Sequence, residues 1–332
     1  MSPASDPIGL APKNDVIRYA RYVAALAIGA APILAIITSL WLFPAAFPLE
    51  LHLLMGIFAV SFPLVVRRLA IPKRTGFLNF LILAGFGLAL VSVFTGGGNG
   101  LTDEPFTTPR YAGLLFSGHD PYNYPLIFNY VQYGQTIHSV SIYVYLPLLM
   151  FLQVPYVDYK VFAIACWLGI VALVRKDFYA TVALGQPYVA LMAASGFNDL
   201  PVLLLMTVGF VGIHGKRQKW AELLSLGCKQ FANVVVFLYY VFQRDWRNAF
   251  VTAGVTAAFL LPFLYWDWTS TICHAGVYDR LSFCARYSSY IPWALNYSLY
   301  PLWAAAIFYP AILAGLRRGR WASTLRRSLS LR

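Results

Sequence analysis

Charged side chains are scarce in this 332-residue chain, where Asp, Glu, Lys and Arg together make up 11 %. A soluble domain carries about 25 %. The shortage excludes a disordered chain, a coiled coil and an ordinary water-soluble enzyme, because so little polar surface cannot cover so apolar a globule. Carboxylates are scarcer still, 13 against 25 Lys and Arg. The 4 cysteines show no CxxC spacing and the 5 histidines no HExxH pattern, so the sequence builds no dedicated zinc site. Walker A, Rossmann and serine-nucleophile motifs are missing too, which leaves no motif-based case for nucleotide use or acyl transfer. A secretory leader is also absent from the expectation, since the first apolar run, near Tyr19 to Phe43, is too long for one.

What fills the chain instead is apolar. Hydrophobic residues make up 59 %, and they gather in runs of about 20 between charge clusters. The pattern predicts an all-α integral membrane protein. Apolar segments fall at roughly 19–43, 51–66, 77–96, 139–154, 159–174, 178–195, 198–214, 220–242, 248–266 and 291–315. Basic clusters flank them: Lys13, Arg18 and Arg21; Arg67, Arg68, Lys73 and Arg74; Lys216, Arg217 and Lys219; Arg244 and Arg247; and a tail from Arg317 to Arg332. Loops 97–138 and 267–290 hold only Arg110, Arg280 and Arg286. By the positive-inside rule the clusters and both termini are cytoplasmic and the two long loops face outward. The net charge of +12 thus reads as topology signals and contacts with membrane lipids, not as a nucleic-acid surface.

Two stretches break a simple count of crossings. Residues 220–242 have basic clusters at both ends and Lys229 in the middle, after a Gly227-Cys228 break. Two half-helices that dip in and return would satisfy both. Between 159 and 197, Arg175 and Lys176 divide two short apolar runs, so one run is expected to be broken or re-entrant. Interrupted helices at membrane depth persist where they line a cavity or lie inside protein. The expectation is about eight to ten spanning helices around a polar cavity near the outer leaflet. Residues 1–76 form an N-terminal transmembrane hairpin, 77–315 the main membrane module, and 316–332 a basic cytoplasmic tail.

The few acids point to the outer loops. In the first, Asp103 and Glu104 stand at the membrane boundary, and His119 and Asp120 follow. Residues from Thr107 to Ser117 read as a short surface helix with Tyr111, Leu114 and Leu115 on its apolar face. Adjacent loop acids are usually just solvated or cap a helix. Lys229, amid GCKQFANVVVFLYY, suggests an anionic partner: a phosphate, or a distant acid such as Asp199. For Asn198 and Asp199, helix capping is the preferred role and cavity lining the second. Tyr143 and Tyr145 read as interface-belt tyrosines. Cys273 and Cys284 are an outward-loop pair able to form a disulfide, while Cys166 and Cys228 read as packing residues. Arg286 stands where it can reach a headgroup phosphate, a surface ion pair or lipid contact being the plainer role.

An outer loop with an acid pair, a surface helix and then Gly118-His119-Asp120-Pro121-Tyr122 resembles the GT-C superfamily of membrane-embedded glycosyltransferases. The branch it is most similar to is the prokaryotic polyprenyl-phosphate-mannose-dependent type. Tyr143-Val144-Tyr145-Leu146-Pro147 resembles its Tyr-x-Tyr-Pro-Pro element, with Leu146 in place of one proline. The start of the seventh segment, Gly196 to Asp199, and the broken lysine helix followed by Arg244 to Arg247 are similar to its polar helix start and its lysine hairpin. The resemblance spans roughly residues 77–315 and implies a GT-C-like bundle whose active site faces outward. It implies inverting transfer of a hexose, with mannose the implied sugar, from a polyprenyl-phosphate donor to a lipid or glycan acceptor. Asp103 would be the base, with Glu104 positioning the acceptor or replacing it. Lys229 and Arg286 would hold the donor phosphate, and His119, Asp120, Tyr122, Tyr143, Tyr145, Asn198 and Asp199 would line the substrate site. No cofactor is assigned, and a divalent cation is left open. The competing reading is a transporter or flippase for a lipid-linked sugar or anionic substrate. Such a protein should show paired broken helices in two related halves.

Overall fold

The computed structural model describes residues 17–18, 20–30, 61–71, 73–95, 104–132, 135–141, 143, 145–152, 158–209, 216–242 and 244–272. Most of these residues are helical, so helix packing carries the fold. The described elements are α1 (Ala20–Ala30), α2 (61–69), α3 (Arg74–Thr95) and α4 (Glu104–Phe116). A hairpin of β1 (Leu126–Gln132) and β2 (Gln135–Ser141) follows, then α5 (Leu148–Phe151) and α6 (Tyr159–Val174). The chain continues through α7 (Phe178–Gly185), α8 (Pro187–Ala194), α9 (Asp199–Thr207), α10 (Lys216–Leu226), α11 (Gln230–Phe242) and α12 (Trp246–Thr271).

Two helices are long and apolar enough to cross a membrane, Arg74–Phe94 in α3 and Trp246–Thr271 in α12. Only 28 % and 17 % of their most apolar windows are buried inside the protein, which is not how a soluble core helix sits. Phe80, Leu83, Val91 and Phe94 on α3, and Phe250, Leu261, Tyr265 and Trp268 on α12, are exposed. Large apolar faces of this kind suit a bilayer.

Local chemistry sets the helix ends. Asp158, Asp177 and Asp245 cap α6, α7 and α12, each accepting a bond from a backbone N–H, those of Lys160, Ala180 and Asn248. The segment expected at 178–195 is broken into α7 and α8. Gln186 is extended (φ −66°, ψ 149°) and Pro187 opens α8, because the residue before a proline is driven out of the helical region. The halves stay together: α3 packs along both, and Trp167 of α6 donates to the Leu184 carbonyl at 2.8 Å. The expected break in 220–242 is also present, between α10 and α11.

The apolar segment expected at 139–154 takes a different form. Residues 139–141 are the end of strand β2, paired antiparallel from Leu126–Ser141 to Gln132–Gln135. The helical part described is only α5, four residues long. A β-rich run, Thr136-Ile137-His138-Ser139-Val140, finds its partner in Ile127-Phe128-Asn129-Tyr130-Val131, and pairing outcompetes a helix that would have to start there. The first loop layer therefore extends past residue 138, and Tyr143, Leu146 and Met150 join Tyr111 and Ala112 of α4 in one core with Phe263 of α12.

Candidate functional site

The geometry of the lysine helix follows from one polar cluster and one glycine. Lys219, in the first turn of α10, donates to the Tyr240 hydroxyl near the end of α11 at 3.0 Å and to Asn248 Oδ1 in α12 at 3.3 Å. The start of α10 and the end of α11 therefore meet, and the two helices form a hairpin. Glu222, 2 % exposed, accepts from Lys219 Nζ at 3.0 Å and from the Tyr240 hydroxyl, which closes the base. At the tip, a Cβ on Gly227 would lie 2.8 Å from the Phe259 ring and 2.9 Å from Leu148 Cβ, so only glycine lets the break nest against α12 and α5. Its carbonyl accepts from Leu148 N–H at 2.8 Å, and the Leu226 carbonyl accepts from Asn233 Nδ2 at 2.9 Å. Carbonyls freed by the break are thus satisfied within protein.

Lys229 stands at that tip. Its side chain is 8 % exposed, and its ammonium donates to Asp199 Oδ1 at 2.6 Å while lying 4.5 Å from the centre of the Tyr145 ring. Of the two partners weighed for Lys229, the acid is the one in place. This also revises the capping role preferred for Asn198 and Asp199. Asn198 is fully buried at the N-cap position of α9 but makes no side-chain capping bond, and the Asp199 carboxylate turns to Lys229. A buried ammonium has more to gain from a carboxylate than a helix end does.

The turn before α9 links this pair to the acidic loop. Gly196 has φ +79°, and a Cβ there would stand 2.8 Å from Pro105 Cβ and 3.4 Å from Lys160 Cγ. Pro105 is the second residue of α4, directly after Glu104. The start of α4, the α8–α9 turn and the hairpin tip thus gather at one end of the molecule. Glu104 opens α4; Asp103, Arg286, Cys273 and Cys284 lie outside the described residues. Cys166 and Cys228 are buried and unbridged, as packing residues should be.

The aromatic residues of the loop are structural props. Tyr122 and Tyr143, expected as substrate contacts, are 0 % and 2 % exposed. Their hydroxyls donate to the carbonyls of Tyr145 at 2.7 Å and Leu146 at 3.0 Å. Burial of an aromatic ring whose hydroxyl finds a partner is strongly favourable, so both rings fix the Tyr145-Leu146 backbone beside Lys229. Tyr145 is half-buried and keeps a face at the ion pair. His119 is exposed, edge-on to Tyr124 with ring centres 5.9 Å apart. Asp120 closes a turn by accepting from Tyr122 N–H at 3.0 Å. Burial first, and the nearby Asp267 charge, push its carboxyl above the usual range, against the lowering effect of the Tyr122 N–H bond.

Sequence reading missed three groups. Lys160, buried at the start of α6, stands beside Gly196. Asp267 interrupts α12 (φ −147°, ψ 94°) and holds Ser270 through its backbone N–H at 3.1 Å and its hydroxyl at 2.8 Å. The Lys219–Glu222–Tyr240–Asn248 cluster had one signal, the i, i+3 spacing of Lys219 and Glu222 next to an apolar run. Among the described residues, no group of three or more His, Cys, Asp or Glu side chains comes together to hold a metal ion. No family model matches the chain, and neither a curated protein nor a solved structure is similar to it.

Proposed function

We propose that the chain is a polytopic, GT-C-like membrane glycosyltransferase that transfers a hexose, with mannose the first sugar to test, from a polyprenyl-phosphate donor to a lipid or glycan acceptor. The observation that carries this reading is the convergence of the α4 start, the Gly196 turn and the Lys229 hairpin tip at one end of the fold. Those are the elements whose chemistry a lipid-phosphate donor needs together. Sidedness supports it. Arg175 and Lys176 after α6, Lys219 in α10 and Arg244 after α11 all fall at the end opposite the site, which the positive-inside rule makes cytoplasmic. Asn248 at the hairpin base and Phe259 at its tip are 11 residues apart on α12, or roughly 16 Å at 1.5 Å per residue. That is about half the bilayer core of about 30 Å, a depth at which a phosphate with a lipid tail can meet the lysine.

In the proposed reaction the acceptor hydroxyl gives its proton to Asp103, and Glu104 aligns the acceptor. The acceptor oxygen attacks the anomeric carbon from the face opposite the phosphate, and the carbon–oxygen bond to phosphate breaks. The departing polyprenyl phosphate carries the electron pair and is met by Lys229 and Arg286. Lys229 then exchanges Asp199 for the phosphate, with Tyr145 holding the cation in place during the exchange. One base and direct displacement give inversion.

A transporter is the second reading, favoured by the Lys229–Asp199 ion pair at a helix break. The test uses proteoliposomes with a sugar-labelled polyprenyl-phosphate mannose donor and a lipid or glycan extract, comparing wild type with Asp103→Asn at equal insertion. The proposal expects label in the acceptor with wild type alone. Label that crosses the membrane without forming a new linkage supports the transporter.

A further inference from the structure

A strongly charged surface at the opposite end of the fold carries a second inference, independent of glycosyl transfer. Two basic clusters a hundred positions apart in sequence are joined there. Arg67 and Arg68 end α2, Lys73 and Arg74 lead into α3, and Arg175 and Lys176 lie between α6 and α7. The joint is aromatic: the Arg67 guanidinium sits 5.6 Å from the centre of the Tyr179 ring, and that of Arg74 sits 5.0 Å from Phe178. Both rings belong to the first turn of α7. Beneath the rings α2, α3 and α7 share one core, with Phe62, Val66, Phe77, Leu81 and Val182 buried, so the patch is held by packed helices. All six cations are exposed. One acid lies beside them, Asp177, whose Oδ1 accepts from Ala180 N–H at 2.9 Å; its single negative charge leaves the six-cation patch strongly positive.

The patch is also amphipathic. An open cleft of about 540 Å³ is lined by Leu64, Val65, Arg67 and Arg68, and Leu64 is 62 % exposed. Guanidinium groups thus adjoin an apolar wall on the same helix. A free phosphate would use the cations and ignore the wall; a nucleic acid would gain nothing from Leu64. An acyl chain with a phosphodiester at its end uses both.

We propose that α2, the α2–α3 turn and the α6–α7 turn form a binding site for an anionic phospholipid of the cytoplasmic leaflet, its phosphodiester on Arg67 and Arg68 and an acyl chain along Leu64 and Val65. Each cation near an anionic lipid surface contributes about fivefold in affinity, so removing two lowers binding by about 25-fold.

The test titrates the purified full chain in neutral detergent with tail-labelled phosphatidylglycerol, read by fluorescence anisotropy. Phosphatidylcholine and soluble glycerol phosphate serve as competitors. The expected result is displacement by unlabelled phosphatidylglycerol alone, and an about 25-fold loss in Arg67→Gln/Arg68→Gln. Arg244→Gln/Arg247→Gln, which removes the same charge from the α11–α12 turn, should stay within about twofold of wild type. Should the first double variant fail to fold, Lys73→Gln/Lys176→Gln replaces it, with the same expected direction. Equal loss in the patch variant and the α11–α12 control would overturn the proposal in favour of diffuse charge attraction. Displacement by glycerol phosphate would overturn it in favour of a free-phosphate site, and displacement by phosphatidylcholine would show that the cations do not select the headgroup.

Discussion

The ion pair at the hairpin tip makes a quantitative prediction. Lys229 is 8 % exposed and Asp199 is 40 % exposed in their side chains. Breaking a fully buried pair by removing one partner costs about 3–5 kcal/mol, whereas a fully exposed pair is worth at most about 1 kcal/mol. Water reaches this pair from the Asp199 side, and the Tyr145 ring 4.5 Å away retains part of the cation's stabilisation. Asp199→Asn should therefore cost about 2 kcal/mol, the burden falling on an ammonium left without its carboxylate. Lys229→Met should cost less, about 1 kcal/mol, because the half-exposed carboxylate can be solvated. The double variant should be no worse than Lys229→Met alone, a coupling of about 2 kcal/mol. The assay is reversible unfolding in mixed micelles, run as a double-mutant cycle. Additive losses in the double variant would refute the pairing.

Three further outcomes follow from the same geometry. Gly196→Ala combines a left-handed backbone with a Cβ 2.8 Å from Pro105; a cost of about 1–2 kcal/mol is expected from the backbone alone, and displacement of the α4 start should lower transfer more than stability, read by comparing turnover with the melting curve. Glu222→Gln, at a site 2 % exposed, should lose about 1–3 kcal/mol as Lys219 and Tyr240 lose a charged acceptor, and cross-linking between engineered cysteines in the first turn of α10 and the last turn of α11 should become less efficient. The raised carboxyl of Asp120, caused first by burial and then by Asp267, has a defined sign. The stabilising protonated form is fully present below the usual carboxylate range and lost as pH rises through the raised folded value. Wild type should thus gain stability relative to Asp120→Asn on acidification from neutral to about pH 4, and equal slopes in the two would remove the burial argument.

Much of this architecture was legible from residues alone where a single local cause dominates. The Gly227-Cys228 break announced two half-helices because basic residues at both ends of one apolar run admit no other sidedness. The short surface helix before Ser117 was readable from its apolar stripe, and charge parity around Arg175 and Lys176 called for one broken run between 159 and 197, which the fold places at Gln186-Pro187. What escaped was set by tertiary competition. Residues 139–141 look like the start of an apolar helix until Leu126–Gln132 is known to pair with them. For Asp199 the sequence offers both a helix cap and a partner for Lys229, 30 positions later, and the fold decides for the ion pair. Tyr143 looks like an interface-belt tyrosine until Tyr122 and Phe263 of α12 are found packed with it in one core. In each case a partner distant in sequence offers more than the local role, and no periodicity reveals that partner.

The measurement closest to the central claim is the anomeric linkage formed in a single turnover. Proteoliposomes would receive a sugar-labelled polyprenyl-phosphate mannose and an acceptor extract, and the labelled product would be analysed by nuclear magnetic resonance. The account predicts a new glycosidic bond of configuration opposite to the donor's, absent with Asp103→Asn. A product of retained configuration, or label that crosses the bilayer still attached to its donor, would contradict it.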